Sequence, residues 1–214
     1  MKDLLQPDSR FLRFLSRVCD LLLLNLMLDF LCVTVVFSGA AITSLFSQTL
    51  KMVRDEEGET VKGFFRVLRR EFIASTPATI LLLIDVLLLA VIGYALYAEV
   101  MLFSPAVFVL LCVAAVLLTA VISWLFPLLA RYKNSFREHL RNAGALALSR
   151  LPVTALLTAI NLLPFLSVVF FPGAMGYLIC FWLLIGMAGC AYLDSLILRR
   201  ALEALEKGGQ RGDV

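Results

Sequence analysis

Hydrophobic and polar positions in this chain are sorted into blocks rather than alternating residue by residue. Three stretches, 18–50, 71–130 and 151–198, contain no Lys or Arg. All nineteen Lys and Arg fall in four islands: the N-terminus, 51–70, 131–150 and 199–211. A helix needs about 20 apolar residues to cross a hydrocarbon core about 30 Å thick. Each block is long enough for that, and the punctuation inside it predicts the helices.

In the first block, Ser38-Gly39 separates a helix over about 18–37 from a shorter one over about 40–54. The shorter one is half polar, with Thr43, Ser44, Ser47, Gln48 and Thr49, which suits a tilted, protein-lined or partly inserted helix. In the second block, Ser75-Thr76-Pro77 reads as a hydroxyl cap before a first-turn proline and predicts a span over about 74–98. A turn from Glu99 to Pro105 leads to a span over about 106–130, with a kink expected at Pro127. In the third, Phe171-Pro172-Gly173 divides spans over about 152–171 and 174–198.

The islands carry a helical period of their own. Over about 60–72, Val61, Phe64, Phe65, Leu68 and Phe72 share one face and Lys62, Arg66, Arg69 and Arg70 take the rest. Over about 135–150, Ser135 and Glu138 have capping-box spacing. There Tyr132, Phe136, Leu140, Ala143 and Ala147 stack on one face. Both read as interfacial helices.

Basic residues beside membrane spans favour the cytoplasm. Placing all four islands there makes each block a hairpin, and the far-side turns near 99–105 and 172–173 contain no Lys or Arg. The expected fold is an all-α polytopic membrane protein, with about six transmembrane helices in three hairpins and cytoplasmic amphipathic helices. It forms one transmembrane domain over 1–198 with a polar cytoplasmic tail over 199–214. The expected location is the plasma membrane, multi-pass, with both termini cytoplasmic and no cleaved signal segment.

Composition agrees: 61% of residues are hydrophobic and only 16% charged, against about 25% in soluble domains. The net charge of +3 comes from the islands, so it reports topology rather than nucleic-acid binding. The five cysteines all lie in apolar segments without metal-ligand spacing, and the single histidine, His139, has no partner at such spacing. No nucleophile, base and metal set can be assembled, so no enzyme, metal or cofactor is expected.

Polar groups inside spans are candidates for function. Asn25 and Asp29, four residues apart, share a helix face, and Asp85 and Asn161 lie deep in later spans. They have two readings: hydrogen-bonded glue between helices, or a cation or proton path. Asp20 and Asp194 are expected to pair with Arg17 and Arg199 at the membrane surface. The basic residues Lys62, Arg66, Arg69, Arg70, Arg131, Lys133, Arg137 and Arg141 form a candidate surface for anionic lipid headgroups or a docked partner.

Several motifs then resemble the YesL-like family of bacterial membrane proteins, a domain of unknown function found mainly in Firmicutes. They are Gly39-Ala40, Leu50-Lys51 and Arg54-Asp55-Glu56-Glu57-Gly58, then Phe64-Phe65-Arg66 with Phe72. Pro127, Ala130-Arg131-Tyr132, Asn134-Ser135, Asn142-Ala143, Leu151-Pro152, Ala191-Tyr192-Leu193 and Ser195 continue the pattern. Lys133 and Asp194 stand where that family has an acid and an amide. The resemblance implies an accessory role beside carbohydrate ABC importers, with importer subunits as partners. The competing reading is a small-solute or proton-coupled transporter.

Overall fold

The structure is a computed structural model that describes residues 10–56, 58–98 and 104–209, and the described residues are helical with no strand. Helix α1 is Arg10–Cys32 and α2 is Ser38–Val53. Helix α3 is Thr60–Tyr97, α4 is Pro105–Arg131, α5 is Phe136–Ser149 and α6 is Leu151–Phe170. A short 3-10 turn, Pro172–Ala174, leads into α7, Met175–Phe181, a π-helical turn, Trp182–Gly186, and α8, Met187–Gly209. These last four pieces stack end to end.

Four stretches are long and apolar enough to cross a bilayer: Thr60–Tyr97, Pro105–Arg131, Leu151–Phe170 and Pro172–Ala201. They turn large apolar side chains outward, among them Ile80, Leu87, Leu110, Leu117 and Phe170. In water that surface would be unstable; in lipid it is the solvated face. The chain is therefore membrane-embedded. Helix α1 differs because Arg17, Asp20 and Asp29 interrupt its apolar length. Helix α2 has sixteen residues, about 24 Å, less than a hydrocarbon core.

Helix α2 is the centre of the bundle. Fourteen of its sixteen residues are buried, against α1, α3, α4 and α8. Its polar side chains bond inward. Thr43 and Ser44 donate to the carbonyls of Gly39 and Ala40, at 2.7 and 2.8 Å. Thr43 also meets the Ser75 hydroxyl at 3.2 Å, and Thr49 meets that of Ser195 at 2.8 Å. The half-polar helix expected over 40–54 is thus lined by protein on all sides.

Two junctions differ from the sequence reading. The interfacial helix expected over 60–72 and the span expected over 74–98 are one uninterrupted helix, about 57 Å long. Ser75 does not cap a new helix; it is buried against α2. Pro77 removes one backbone donor, while Thr76 and Thr79 donate their hydroxyls to the carbonyls of Phe72 and Ser75, so the backbone around it stays engaged. The turn expected at Ser38-Gly39 lies earlier, at 33–37, and Gly39 belongs to α2. Its role is close approach: a Cβ there would sit 2.8 Å from the Ser75 carbonyl, and its N–H donates to the Thr79 hydroxyl at 3.2 Å. Helix α4 runs through Pro127, and α8 continues through 199–209 of the expected tail; 210–214 lie outside the described residues.

The basic stretches gather at one end of the bundle. Arg17, early in α1, pairs with Asp55, just past α2. Arg199, late in α8, donates to the Val53 carbonyl at 2.9 Å. Glu71 of α3 acts electrostatically on His139 of α5.

Gly39→Ala is expected to lower stability by about 1–3 kcal/mol through overpacking. Gly144→Ala, where nothing lies within 4 Å, should be neutral or stabilising by up to about 1 kcal/mol. Unfolding midpoints in mixed micelles check both.

Candidate functional site

The four polar residues singled out in the spans do not form one site. Asn25 and Asp29 meet, as their spacing predicts, with the amide donating to the carboxylate at 3.0 Å. Asp85 of α3 faces Thr119 of α4, whose hydroxyl lies 3.0 Å from one carboxylate oxygen and 3.3 Å from the other. Asn161 of α6 donates to Asp194 of α8 at 2.6 Å. Each pair holds helices or turns together.

Asn25 does more than its neighbours. It is fully buried, and its side chain inserts into the backbone ladder of the last span. Its amide nitrogen lies 3.0 Å from the Trp182 carbonyl and 2.8 Å from that of Leu183, and its oxygen accepts the Ala188 N–H at 2.7 Å. The π-helical turn Trp182–Gly186 sits between those partners. A widened turn leaves backbone groups without helical partners, and a side chain that supplies them fixes its position. Asn25 therefore clasps α1 to the last span. The sequence signal for this was one amide in an apolar helix; nothing at 182–186 announces a π turn.

Asp194 was expected beside Arg199. It turns inward instead, wholly buried, with one carboxylate oxygen taken by Asn161 and the other without a hydrogen bond. The facing surface of α6 offers an amide there, and that amide takes the carboxylate.

A cavity of about 320 Å³ lies between α2, α3, α4, α6 and α8, with Leu28 of α1 also on its wall. Asp85, Thr119, Ser123 and Asn161 are its polar wall, and Phe46, Phe126 and Phe165 are among its apolar wall. Asn25 and Asp29 do not line it. A second cavity of about 580 Å³ shares Leu89 and Phe165 with the first and follows the α3–α6 seam to Tyr97 and Pro172. Phe165, which stands between them, packs on Gly93; a Cβ at Gly93 would sit 3.1 Å from the ring.

At the basic end, α5 opens on the capping box: the Ser135 hydroxyl accepts the Glu138 N–H, and the Glu138 carboxylate accepts the Ser135 N–H. The backbone bond, with the hydroxyl bond behind it, holds the Glu138 carboxyl below its ordinary range. The buried face of α5 is His139, Ala143 and Ala147, so His139 takes the place expected for Leu140. His139 accepts the Asn134 N–H at 3.3 Å. Burial pushes its pKa down, against the opposing pull of Glu71, Glu138 and the Tyr132 backbone. Lys62, Arg66, Arg69, Arg70, Lys133, Arg137 and Arg141 are exposed, while Arg131 is half-buried over the Tyr132 ring. Lys62 pairs with Glu59 and Arg70 with Glu71, both at 2.6 Å. Among the described residues no cluster of three or more His, Cys, Asp or Glu could hold a metal ion.

Residues 21–100 match the family model described as a protein of unknown function, DUF624. That stretch runs from α1 to just past α3 and includes Asn25, Asp29 and Asp85 but not Asn161. No curated protein and no solved structure matches the chain.

Asn25→Leu should cost about 2–3 kcal/mol, because it strands backbone groups inside the bundle. Thr43→Val, which removes one hydroxyl between α2 and α3, should cost only about 0.6 kcal/mol. Unfolding in mixed micelles separates the two. The depressed pKa of His139 has a fixed sign: its contribution is complete above the free-imidazole value of 6.5 and is lost as pH falls through the lower folded value. Unfolding midpoints should drop from about pH 6.5 downward, and His139→Gln should flatten that slope.

Proposed function

We propose that the chain is a non-catalytic accessory protein of the plasma membrane, which crosses six times and presents its basic end to the cytoplasm. Helices α1 and α2 then form a hairpin in which α1 turns Leu23, Leu26 and Phe30 to lipid and α2 is shielded from lipid by its neighbours. The observation that carries this reading is the gathering of exposed Lys62, Arg66, Arg69, Arg70, Lys133, Arg137 and Arg141 on two elements at one end, α3's first turns and the α4–α5 corner. Most of these side chains sit on helices fixed by packing: Phe64, Val67 and Leu68 anchor α3 there, and His139, Ala143 and Ala147 anchor α5. A rigid basic surface of that kind suits a docked acidic partner or anionic headgroups. The resemblance to the YesL-like family points to a subunit of a carbohydrate ABC importer as that partner.

A second reading, transport in its own right, draws on the cavity that reaches Asp85 and Asn161. Asp29 stands outside that cavity, held by Asn25, which weakens a relay through both acids.

The tagged chain, purified in mild detergent, should bring down an importer subunit. Arg137→Glu with Arg141→Glu should abolish that recovery while shifting stability by no more than about 0.5 kcal/mol, since both side chains are exposed. Recovery of the chain alone, or retention of the partner by the double variant, sinks the docking role. Loss of solute uptake by Asp85→Asn would favour transport instead.

A further inference from the structure

We propose that the cavity at Asp85 is an intramembrane binding site for a lipophilic cation, a molecule with an ammonium head on an apolar body. The inference holds whether or not the chain moves what it binds, and it does not depend on docking at the basic end.

The charge balance points to the head group. Asp85 is only 4% exposed, and its hydrogen-bond partner among the described residues is the single Thr119 hydroxyl. That hydroxyl has one proton, and the Ala115 carbonyl competes for it at 2.9 Å. Two carboxylate oxygens offer about four acceptor positions, so a single hydroxyl leaves most of the capacity of this cavity-lining group unfilled. No Lys or Arg occurs within 18–50, 71–130 or 151–198, and the one His lies in α5, so the parts of α1, α2, α3, α4, α6 and α8 that line the cavity carry no basic side chain. A bound cation would supply the missing partner. The Asn161 side-chain oxygen and the Ser123 hydroxyl add acceptor positions on the same wall, the latter donating to the Thr119 carbonyl at 2.7 Å.

The rest of the wall points to the body. Phe46, Phe126 and Phe165 present aromatic rings, which attract cations and pack apolar groups alike. Two wall residues, Val86 and Met187, are 53% and 38% exposed on the outer surface of the bundle. The mouth therefore opens among lipid-facing side chains, and a ligand would enter from the bilayer rather than from water.

The test uses the full chain in lipid nanodiscs, with 4-phenylbutylamine as the probe and 4-phenylbutanol as its neutral counterpart. Equilibrium dialysis against empty nanodiscs separates saturable binding from partition into lipid. The proposal expects saturable binding of the amine, at least about tenfold weaker binding of the alcohol, and a similar loss for the amine with Asp85→Asn. The Asn variant keeps an acceptor for Thr119, and its unfolding midpoint shows whether the bundle is intact. If that variant does not fold, the amine-against-alcohol comparison on the unaltered chain decides alone. Equal binding of the two probes, no saturable binding of the amine, or undiminished binding by a folded Asp85→Asn protein would each overturn the proposal.

Discussion

A polar helix can lie inside a membrane only if protein covers it on every side. Helix α2 imposes that constraint on everything around it. Its hydroxyls and Gln48 would each carry a penalty of several kcal/mol against lipid. Helices α1, α3, α4 and α8 surround it, and the apolar residues left over face outward. The usual sorting of a soluble protein is reversed, and the reason is the solvent rather than the chain. The small residues of α2 make the cover possible. Gly39 lets α3 approach at Ser75 and Thr79, and Gly63 of α3 leaves room for Gln48.

Around this centre the acids and amides act as fasteners. Asn25 joins α1 to the π turn, Thr119 joins α4 to Asp85, and Asn161 joins α6 to Asp194. Such bonds are individually modest in membranes, averaging about 0.6 kcal/mol. Asn25 is the exception because its partners are backbone groups that the π turn releases. Asp85 differs in another way. It fastens α3 to α4 with one hydroxyl and lines a cavity with the remainder of its bonding capacity unfilled, which makes it both a structural contact and a place for a ligand.

Much of the helical layout was legible in the sequence, because block length and the charge islands report membrane crossing directly. The capping box at Ser135 and Glu138 and the Asn25–Asp29 pair were legible from spacing alone. The α3 junction was not: Ser75-Thr76-Pro77 carries every local mark of a helix start, yet burial against α2 and hydroxyl bonding keep the helix continuous. The inward turn of Asp194 and the π turn depend on residues more than thirty positions away, Asn161 and Asn25, which periodicity cannot register. The cavity was equally hidden, since Asp85 and Asn161 meet it from different helices and Asp29, the residue that looked most like Asp85, faces elsewhere.

The central claim is that α2, a half-polar helix inside a membrane bundle, is the most protected. Hydrogen exchange of the full chain in nanodiscs, read by peptide mass spectrometry, tests it directly, with α5 as the internal reference for a helix at the basic end. Amides of Ala41–Leu50 should exchange among the slowest in the molecule and far more slowly than those of α5. Exchange of Ala41–Leu50 at the rate of α5 would place the helix at the membrane surface and contradict the bundle described above.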